Sequence, residues 1–212
     1  ASEPLYVDST SRPISVNPAT GDLIVVDTIN IDQLKVAVGK NAGLTGQIGG
    51  ATAVGQLAGQ TDQAKNSVAV GFKAGQTTQG SGSVAIGPSA GNSLQNTNSI
   101  AIGNSAGTLG QGRDCIALGN TAASGSQGDG AIALGGSAGN ISQGAGSIAI
   151  GRNTASSSQP ANQIFISAAG TALNGVQPSA LYMTPIRGLA HGIGVGVMKY
   201  DPVTFEITYS TT

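Results

Sequence analysis

Few side chains in this sequence have the type and spacing that catalysis or metal binding requires. Cys115 is the only cysteine and His191 the only histidine, whereas a thiol nucleophile needs a base beside it. Cys115 stands where other repeats carry serine or alanine, so we interpret it as a small filler. The carboxylates Asp62, Asp114 and Asp129 fall at different positions of different repeats, and no His or Cys cluster has metal-ligand spacing. We therefore expect no catalytic residue, no metal site, no cofactor and no enzymatic activity.

One polar side chain recurs at a constant spacing and could form a hydrogen-bonded array. Glutamine returns every 16 residues, at Gln47, Gln63, Gln79, Gln95, Gln111, Gln127, Gln143 and Gln159. Coils stacked about 4.8 Å apart would bring these amides within reach of one another, so the spacing predicts a structural ladder. The alternative is a polar turn that merely suits glutamine, although such a turn would also accept asparagine or serine.

Regularly spaced glycines mark the coils that must position this ladder. A glycine closes a short aliphatic strand every 16 residues, at Gly39, Gly55, Gly71, Gly87, Gly103, Gly119, Gly135 and Gly151. Self-similarity at a fixed period is the signature of a stacked solenoid. Sixteen residues suit a flattened coil with two short strands and two tight bends. The sequence therefore predicts an all-β, parallel β-roll solenoid in which these marker glycines form a corner.

The composition fits a solenoid and excludes several other classes of protein. The 212 residues include 34 glycines but three phenylalanines, four tyrosines and no tryptophan, which disfavours a core of large side chains. Disorder would explain the abundant glycine, but disordered chains lack aliphatic triplets in register. The formal net charge is -1 and the basic residues are scattered, so we expect no nucleic-acid partner. No apolar run approaches the roughly 20 residues of a membrane-spanning helix, so we expect no membrane insertion.

Alternation along each strand divides the side chains between two faces. In Val84-Ala85-Ile86 the first and third side chains share one face and Ala85 takes the other. We expect the aliphatic face to fill the roll and the alanine face to turn outward, where its smooth surface would admit a partner chain. The alanine column comprises Ala37, Ala53, Ala69, Ala85, Ala101, Ala117 and Ala133. Because aliphatic burial in one thin roll offsets only part of the entropy cost of ordering it, we also expect an obligate oligomer.

Three repeats share a six-residue motif: Asn66-Ser67-Val68-Ala69-Val70-Gly71, Asn98-Ser99-Ile100-Ala101-Ile102-Gly103 and Gly146-Ser147-Ile148-Ala149-Ile150-Gly151. This motif resembles the head repeats of trimeric autotransporter adhesins, and the resemblance covers residues 36–167. It implies a left-handed roll and a homotrimer. It also implies an alternative function, that of a bacterial cell-surface adhesin head that binds glycan or a matrix protein. The residues that would carry such specificity follow the marker glycines, at Lys40, Phe72, Pro88, Asn104, Asn120 and Arg152.

The segments on either side of the repeats carry hairpin signals. Residues 14–25 contain two alternating strands around an Asn-Pro-x-Thr-Gly turn, and residues 198–209 repeat the scheme around Asp-Pro, as expected for β-hairpins. We predict three regions: an N-terminal hairpin cap over residues 1–35, a roll of eight full repeats and a partial coil over residues 36–167, and a β-structured trimerisation cap over residues 168–212. Caps are needed because an open final coil exposes unpaired strand groups.

The C-terminal part carries a second resemblance. It rests on Asn162-Gln163-Ile164-Phe165-Ile166-Ser167, on Ala180-Leu181-Tyr182-Met183-Thr184-Pro185-Ile186-Arg187 and on the hairpin that begins Tyr200-Asp201-Pro202. These runs resemble the distal part of viral fibre and appendage proteins of large DNA viruses and tailed phages. In that family a self-cleaving intramolecular chaperone often follows, so the resemblance implies a chain from which the chaperone has been removed by self-cleavage or truncation.

Together these features favour a structural protein over an enzyme. We expect a homotrimeric fibre or spike segment at the virion surface, which presents a surface for attachment to a host glycan or receptor. The bacterial cell surface is the alternative location. Ice binding is a third hypothesis, but the threonine column at Thr45, Thr61 and Thr77 gives way to Ser93 and Leu109 in the following coils.

Overall fold

A computed structural model describes residues 14–16, 23–25, 35–170, 172, 174–175, 177–184, 197–201, 204 and 207–210. These residues contain eighteen β-strands, numbered β1 to β18 in chain order, and no helix. Strands β1 (Ile14–Val16) and β2 (Leu23–Val25) pair antiparallel. Strands β17 (Val197–Tyr200) and β18 (Ile207–Ser210) also pair antiparallel. Antiparallel pairing thus occurs at both places where the sequence predicts a hairpin.

The other fourteen strands form two parallel sheets. The larger sheet has ten strands: β3 (Val36–Val38), β4 (Thr52–Val54), β6 (Val68–Val70), β8 (Val84–Ile86), β10 (Ile100–Ile102), β12 (Ile116–Leu118), β13 (Ile132–Leu134), β14 (Ile148–Ile150), β15 (Ile164–Ser167) and β16 (Leu181–Thr184). The smaller sheet has four strands: β5 (Thr61–Gln63), β7 (Thr77–Gln79), β9 (Ser93–Gln95) and β11 (Leu109–Gln111). Single bridges continue the smaller sheet from Gln111 to Gln159.

The strand register confirms a parallel β-solenoid with 16-residue coils. From β3 to β14 in the larger sheet, each strand residue pairs with the residue 16 positions later, as Ile100 does with Ile116. The last turn is longer, because Ile164 pairs with Leu181, 17 positions later. The predicted end of the roll at residue 167 therefore falls inside the sheet, which continues through β16. Nine turns at about 4.8 Å each give a rod of roughly 43 Å.

The orientation expected for the two strand faces is wrong. Ala85 is fully buried inside the roll, whereas Ile86 beside it is 38% exposed on the outside. The interior is too narrow for larger side chains, because Gln95 reaches across it from the smaller sheet and its Nε2 donates to Val84 O at 2.9 Å. A methyl group is what fits beside that amide. The buried strand alanines are Ala53, Ala69, Ala85, Ala101, Ala117, Ala133 and Ala149, whereas Ala37 in the first coil is exposed.

Residues that tolerate a left-handed backbone conformation form the corner before the aliphatic strands. From β4 onward in the larger sheet, the residue two positions before each strand has a positive φ, for example 59° at Asn66, 58° at Asn98 and 55° at Asp114. Asparagine, aspartate and glycine adopt this conformation at lower cost than other residues. The repeated Asn-Ser motif is therefore a corner signal, in which asparagine supplies the turn and serine enters the interior.

The interior ends in an aromatic pair at its C-terminal end. Phe165 takes the alanine position of β15 and is fully buried, and Tyr182 takes the same position of β16. Their rings stack with centroids 4.6 Å apart and planes 6° apart. Among the described residues, large apolar side chains thus enter the core only where the coils end.

Candidate functional site

The predicted glutamine column lies inside the roll, and its side chains form a ladder between coils. All eight glutamines are buried, which argues against the polar-turn alternative. Five of the seven steps carry an amide-to-amide hydrogen bond from Nε2 to Oε1: Gln47 to Gln63 at 3.1 Å, Gln63 to Gln79 at 3.2 Å, Gln79 to Gln95 at 3.2 Å, Gln111 to Gln127 at 3.1 Å and Gln127 to Gln143 at 3.0 Å.

Each ladder amide also ties the two sheets together. The Nε2 of Gln79 donates to Val68 O at 2.8 Å, across the interior of its own coil. Equivalent bonds run from Gln63 to Thr52 O at 2.8 Å and from Gln143 to Ile132 O at 2.8 Å. The ladder therefore joins successive coils along the axis and opposite sheets within a coil. Its role in this geometry is structural.

The Ala-Gly pairs of the repeat are explained by the same glutamines. A Cβ placed on Gly75, whose φ is +50°, would lie 2.7 Å from Gln79 Oε1. The alanine of this pair, Ala74, is fully buried against the strand alanines. Glycine thus leaves room for the amide, and alanine fills the remaining space.

We expect Gln79→Leu to destabilise the roll by roughly 2 to 5 kcal/mol. Leucine has a similar volume, but it removes the buried hydrogen bonds of Gln79 with Val68 O, Gln63 and Gln95, and a buried polar group left unsatisfied costs about 1 to 3 kcal/mol. Urea unfolding followed by circular dichroism measures the change. The matched control is Gln56→Leu at an exposed corner, which should shift stability by less than about 0.5 kcal/mol. Equal effects of the two substitutions would contradict a stabilising ladder.

The marker glycines form a second column, at a corner of the roll. Their φ values lie between 113° and 133°, in a region that side chains rarely adopt. A Cβ on Gly55 would lie 2.6 Å from Gly71 O, in the next coil. The corner therefore requires glycine both for its backbone conformation and for the close approach of successive coils.

The roll contains a second column of polar side chains, which was not predicted from the sequence. The Nε2 of Gln76 donates to Gln60 Oε1 at 2.8 Å, and the Nδ2 of Asn92 donates to Gln76 Oε1 at 3.1 Å. Farther along, the hydroxyl of Ser124 donates to Asn140 Oδ1 at 2.7 Å. Residue identity changes along this column, so only the constant 16-residue spacing of polar side chains could have revealed it.

Cys115 occupies the buried serine position of the repeat, as predicted. In other coils a serine hydroxyl here donates to a nearby carbonyl, as Ser83 does to Gly80 O at 2.6 Å. The thiol of Cys115 is fully buried and donates to Gly128 O at 3.0 Å. Burial raises the pKa of this thiol most, Asp129 and Asp114 raise it further, and backbone hydrogen bonds lower it. His191 lies outside the described residues.

We expect Cys115 to react with a disulfide reagent at least about 100-fold more slowly in the native chain than in urea, because the thiolate is the reactive form and burial disfavours it. The folded pKa is raised, so this thiol contributes stability fully below its unfolded pKa of about 8.5 and loses it as pH rises through the folded pKa. Urea midpoints between neutral and alkaline pH should therefore fall more for the wild type than for Cys115→Ser. The buried thiol would be contradicted if the urea midpoints of the two proteins changed equally with pH. Rapid reaction of the native chain with the disulfide reagent would also contradict it.

The three carboxylates considered above do not converge. Asp114 Oδ1 accepts from Asn98 Nδ2 at 3.1 Å, and Asp129 Oδ1 accepts from the backbone N–H of Arg113 at 2.9 Å, whereas Asp62 is exposed in the second coil. Within the described part of the chain, no group of three or more His, Cys, Asp or Glu side chains is placed to hold a metal ion. The same residues contain no helix that is long and apolar enough to cross a membrane.

The outer side of the ten-stranded sheet is an apolar surface that the described residues leave partly exposed. We call it the aliphatic face, and it comprises the first and third residues of the ten strands. Eighteen of these twenty positions are Val, Ile or Leu, and the others are Thr52 and Met183. Exposure reaches 58% at Val38 and 41% at Ile166. Contiguous apolar surfaces of this kind mark interaction sites, and parallel sheets are normally covered on both faces.

The fold and these columns define a β-solenoid repeat protein. It has an alanine core, a buried glutamine ladder and an aliphatic face that is partly exposed in the described part of the chain. Comparison of the chain with protein-family models, with curated proteins and with solved structures gives no match.

Proposed function

We propose that this chain is a structural segment of a homotrimeric fibre or spike on a virion, which presents a surface for host attachment. The observation that carries the proposal is the aliphatic face. It runs the full length of the roll without a charged residue, so it suits a dry contact between chains.

In the proposed trimer the aliphatic faces of three copies meet along one axis. Identical copies around an axis along the roll place equivalent rows at the same height, and the constant 16-residue coil repeats the same contact from one coil to the next. Isoleucine, valine and leucine in two columns then interdigitate as in a protein core. The number three comes from the resemblance to trimeric head repeats, and handedness follows that resemblance as well.

The terminal regions are caps in this proposal. The β1–β2 pair lies N-terminal to the roll in sequence, and the β17–β18 pair lies C-terminal to it. Capping is physically necessary, since the edges of a parallel solenoid offer unpaired backbone groups to other chains.

The virion assignment is supported by the resemblance of the C-terminal runs to viral fibre and appendage proteins. Immunogold labelling of purified virus particles with an antibody against residues 36–167 tests it. We expect label at projecting appendages of the particles. Label confined to cell envelopes would contradict the virion assignment and favour the bacterial one.

One observation favours the alternative of a glycan-binding adhesin head. Phe72 is 45% exposed at the corner that follows a marker glycine, and the Nζ of Lys73 lies 5.3 Å from the centre of its ring. An exposed ring can stack on a sugar, and a cation beside it can pair with an acidic group. Binding to a glycan array that is lost in Phe72→Ala but kept in Leu109→Ala would support this function.

A further inference from the structure

The two ends of the roll differ in how the interior is closed. At the C-terminal end the stacked rings of Phe165 and Tyr182 fill it. At the N-terminal end β3 is an edge strand of the sheet, and Ala37, which takes the position of the buried strand alanines, is exposed. No described residue covers this cross-section of the core.

The edge of β3 also offers free backbone groups. The N–H of Val36 donates to Ala51 O at 3.0 Å, and Val38 O accepts from Gly55 N–H at 2.7 Å. Alternate residues of a parallel strand bond to opposite neighbours, so the N–H and C=O of Ala37 point away from the second coil. No residue in the described ranges pairs with them. Such an edge is a template for another strand.

Charge is distributed unevenly along the sequence at this end. Residues 35–73 carry four lysines and one aspartate, a net charge of +3, and residues 1–34 carry five acidic residues and one arginine, a net charge of -4. The remaining residues, 74–212, have four basic and four acidic side chains and no net charge. The acidic residues before the roll are Glu3, Asp8, Asp22, Asp27 and Asp32.

We infer that the acidic segment 1–34 of the same chain docks on the N-terminal end of the roll, over the edge of β3 and against the lysines of the first coils. The segment precedes Lys35 directly in the sequence, so its C-terminal end lies next to this surface along the chain. Lys35, Lys40 and Lys65 belong to the first coils, within about two coil spacings, roughly 10 Å, along the roll axis, a rise comparable with the Debye length at physiological salt. The inference specifies how the proposed N-terminal cap is held, and it does not depend on the trimer or the virion.

The competing occupant of these lysines is an acidic glycan. The segment is favoured because a glycan would leave the Ala37 edge and the exposed interior uncovered. A chain segment can supply both the opposite charge and the missing backbone partners.

Hydrogen exchange of the full chain tests the docking. We expect the backbone amide of Ala37 to exchange at least about 10-fold more slowly than unprotected backbone, and this protection to fall in about 1 M salt. The triple reversal Lys35→Glu, Lys40→Glu and Lys65→Glu should remove the protection, and adding Asp22→Lys, Asp27→Lys and Asp32→Lys should restore it. The matched control, Arg113→Glu with Arg152→Glu in later coils, should leave it unchanged.

Two results would overturn the inference. One is an Ala37 amide that exchanges at the rate of unprotected backbone in the wild type. The other is protection that survives the triple reversal while binding of polygalacturonate is lost, which would assign the lysines to an acidic glycan. Light scattering of every variant separates these results from a loss of the trimer, which would count against the proposed function instead.

Discussion

Ile86→Asp is expected to convert the proposed trimer into single chains. Ile86 lies on the aliphatic face of the larger sheet and is 38% exposed in the single chain, so in the proposed trimer each chain loses about 0.6 to 1.1 kcal/mol of apolar burial, the corresponding fraction of the 1.5 to 3 kcal/mol for a fully buried side chain. Each chain also brings a carboxylate into the dry contact, which costs several kcal/mol more. Over three chains the loss is on the order of 10 kcal/mol, or about seven powers of ten in the association constant.

Light scattering after gel filtration measures this change, and circular dichroism checks that the coils persist. The matched control is Leu109→Asp, which replaces a 57% exposed aliphatic residue on the smaller sheet. Its mass should equal that of the wild type. A folded wild-type chain that runs as a monomer would contradict the trimer, and an unchanged mass for Ile86→Asp would show that the copies meet elsewhere.

The period of the sequence predicted the solenoid, because a parallel ladder requires equal coil lengths and the register follows from counting. The glutamine ladder was predictable for the same reason. Alternation showed that Val84 and Ile86 share one face and Ala85 takes the other, but it did not show which face was inside. That choice depends on the width of the coil, which Gln95 sets by reaching across the interior.

The last strand shows where the period stops being informative. Leu181-Tyr182-Met183-Thr184 lacks the alanine and glycine of the repeat, and it follows a 17-residue turn. Its place in the sheet follows from the pairing of Phe165 with Tyr182, two aromatic residues that each lie between aliphatic ones. Alternation around an aromatic residue was the available signal, and the loss of the 16-residue spacing hid it.

Gly135→Ala is expected to destabilise the roll by at least about 3 kcal/mol, while Gly136→Ala beside it should raise its stability by about 0.4 to 1 kcal/mol. Gly135 has a φ of +129°, and a Cβ there would lie 2.7 Å from both C and O of Gly151. The next coil must move to relieve this clash. The strained backbone conformation of an alanine at this φ costs about 1 to 3 kcal/mol in addition. Gly136 has no positive φ, and its nearest contact would be Asn120 O at 3.8 Å.

The two substitutions make a matched pair, because each adds one methyl group at the same corner. In the unfolded chain both reduce backbone entropy equally, by an amount worth about 0.4 to 1 kcal/mol, so their difference reports the folded state alone. Urea unfolding at fixed protein concentration measures it. Equal midpoints for the two variants would mean that the coils can separate at this corner. A large difference would mean that the marker glycine sets the coil spacing, on which both the ladder and the aliphatic face depend.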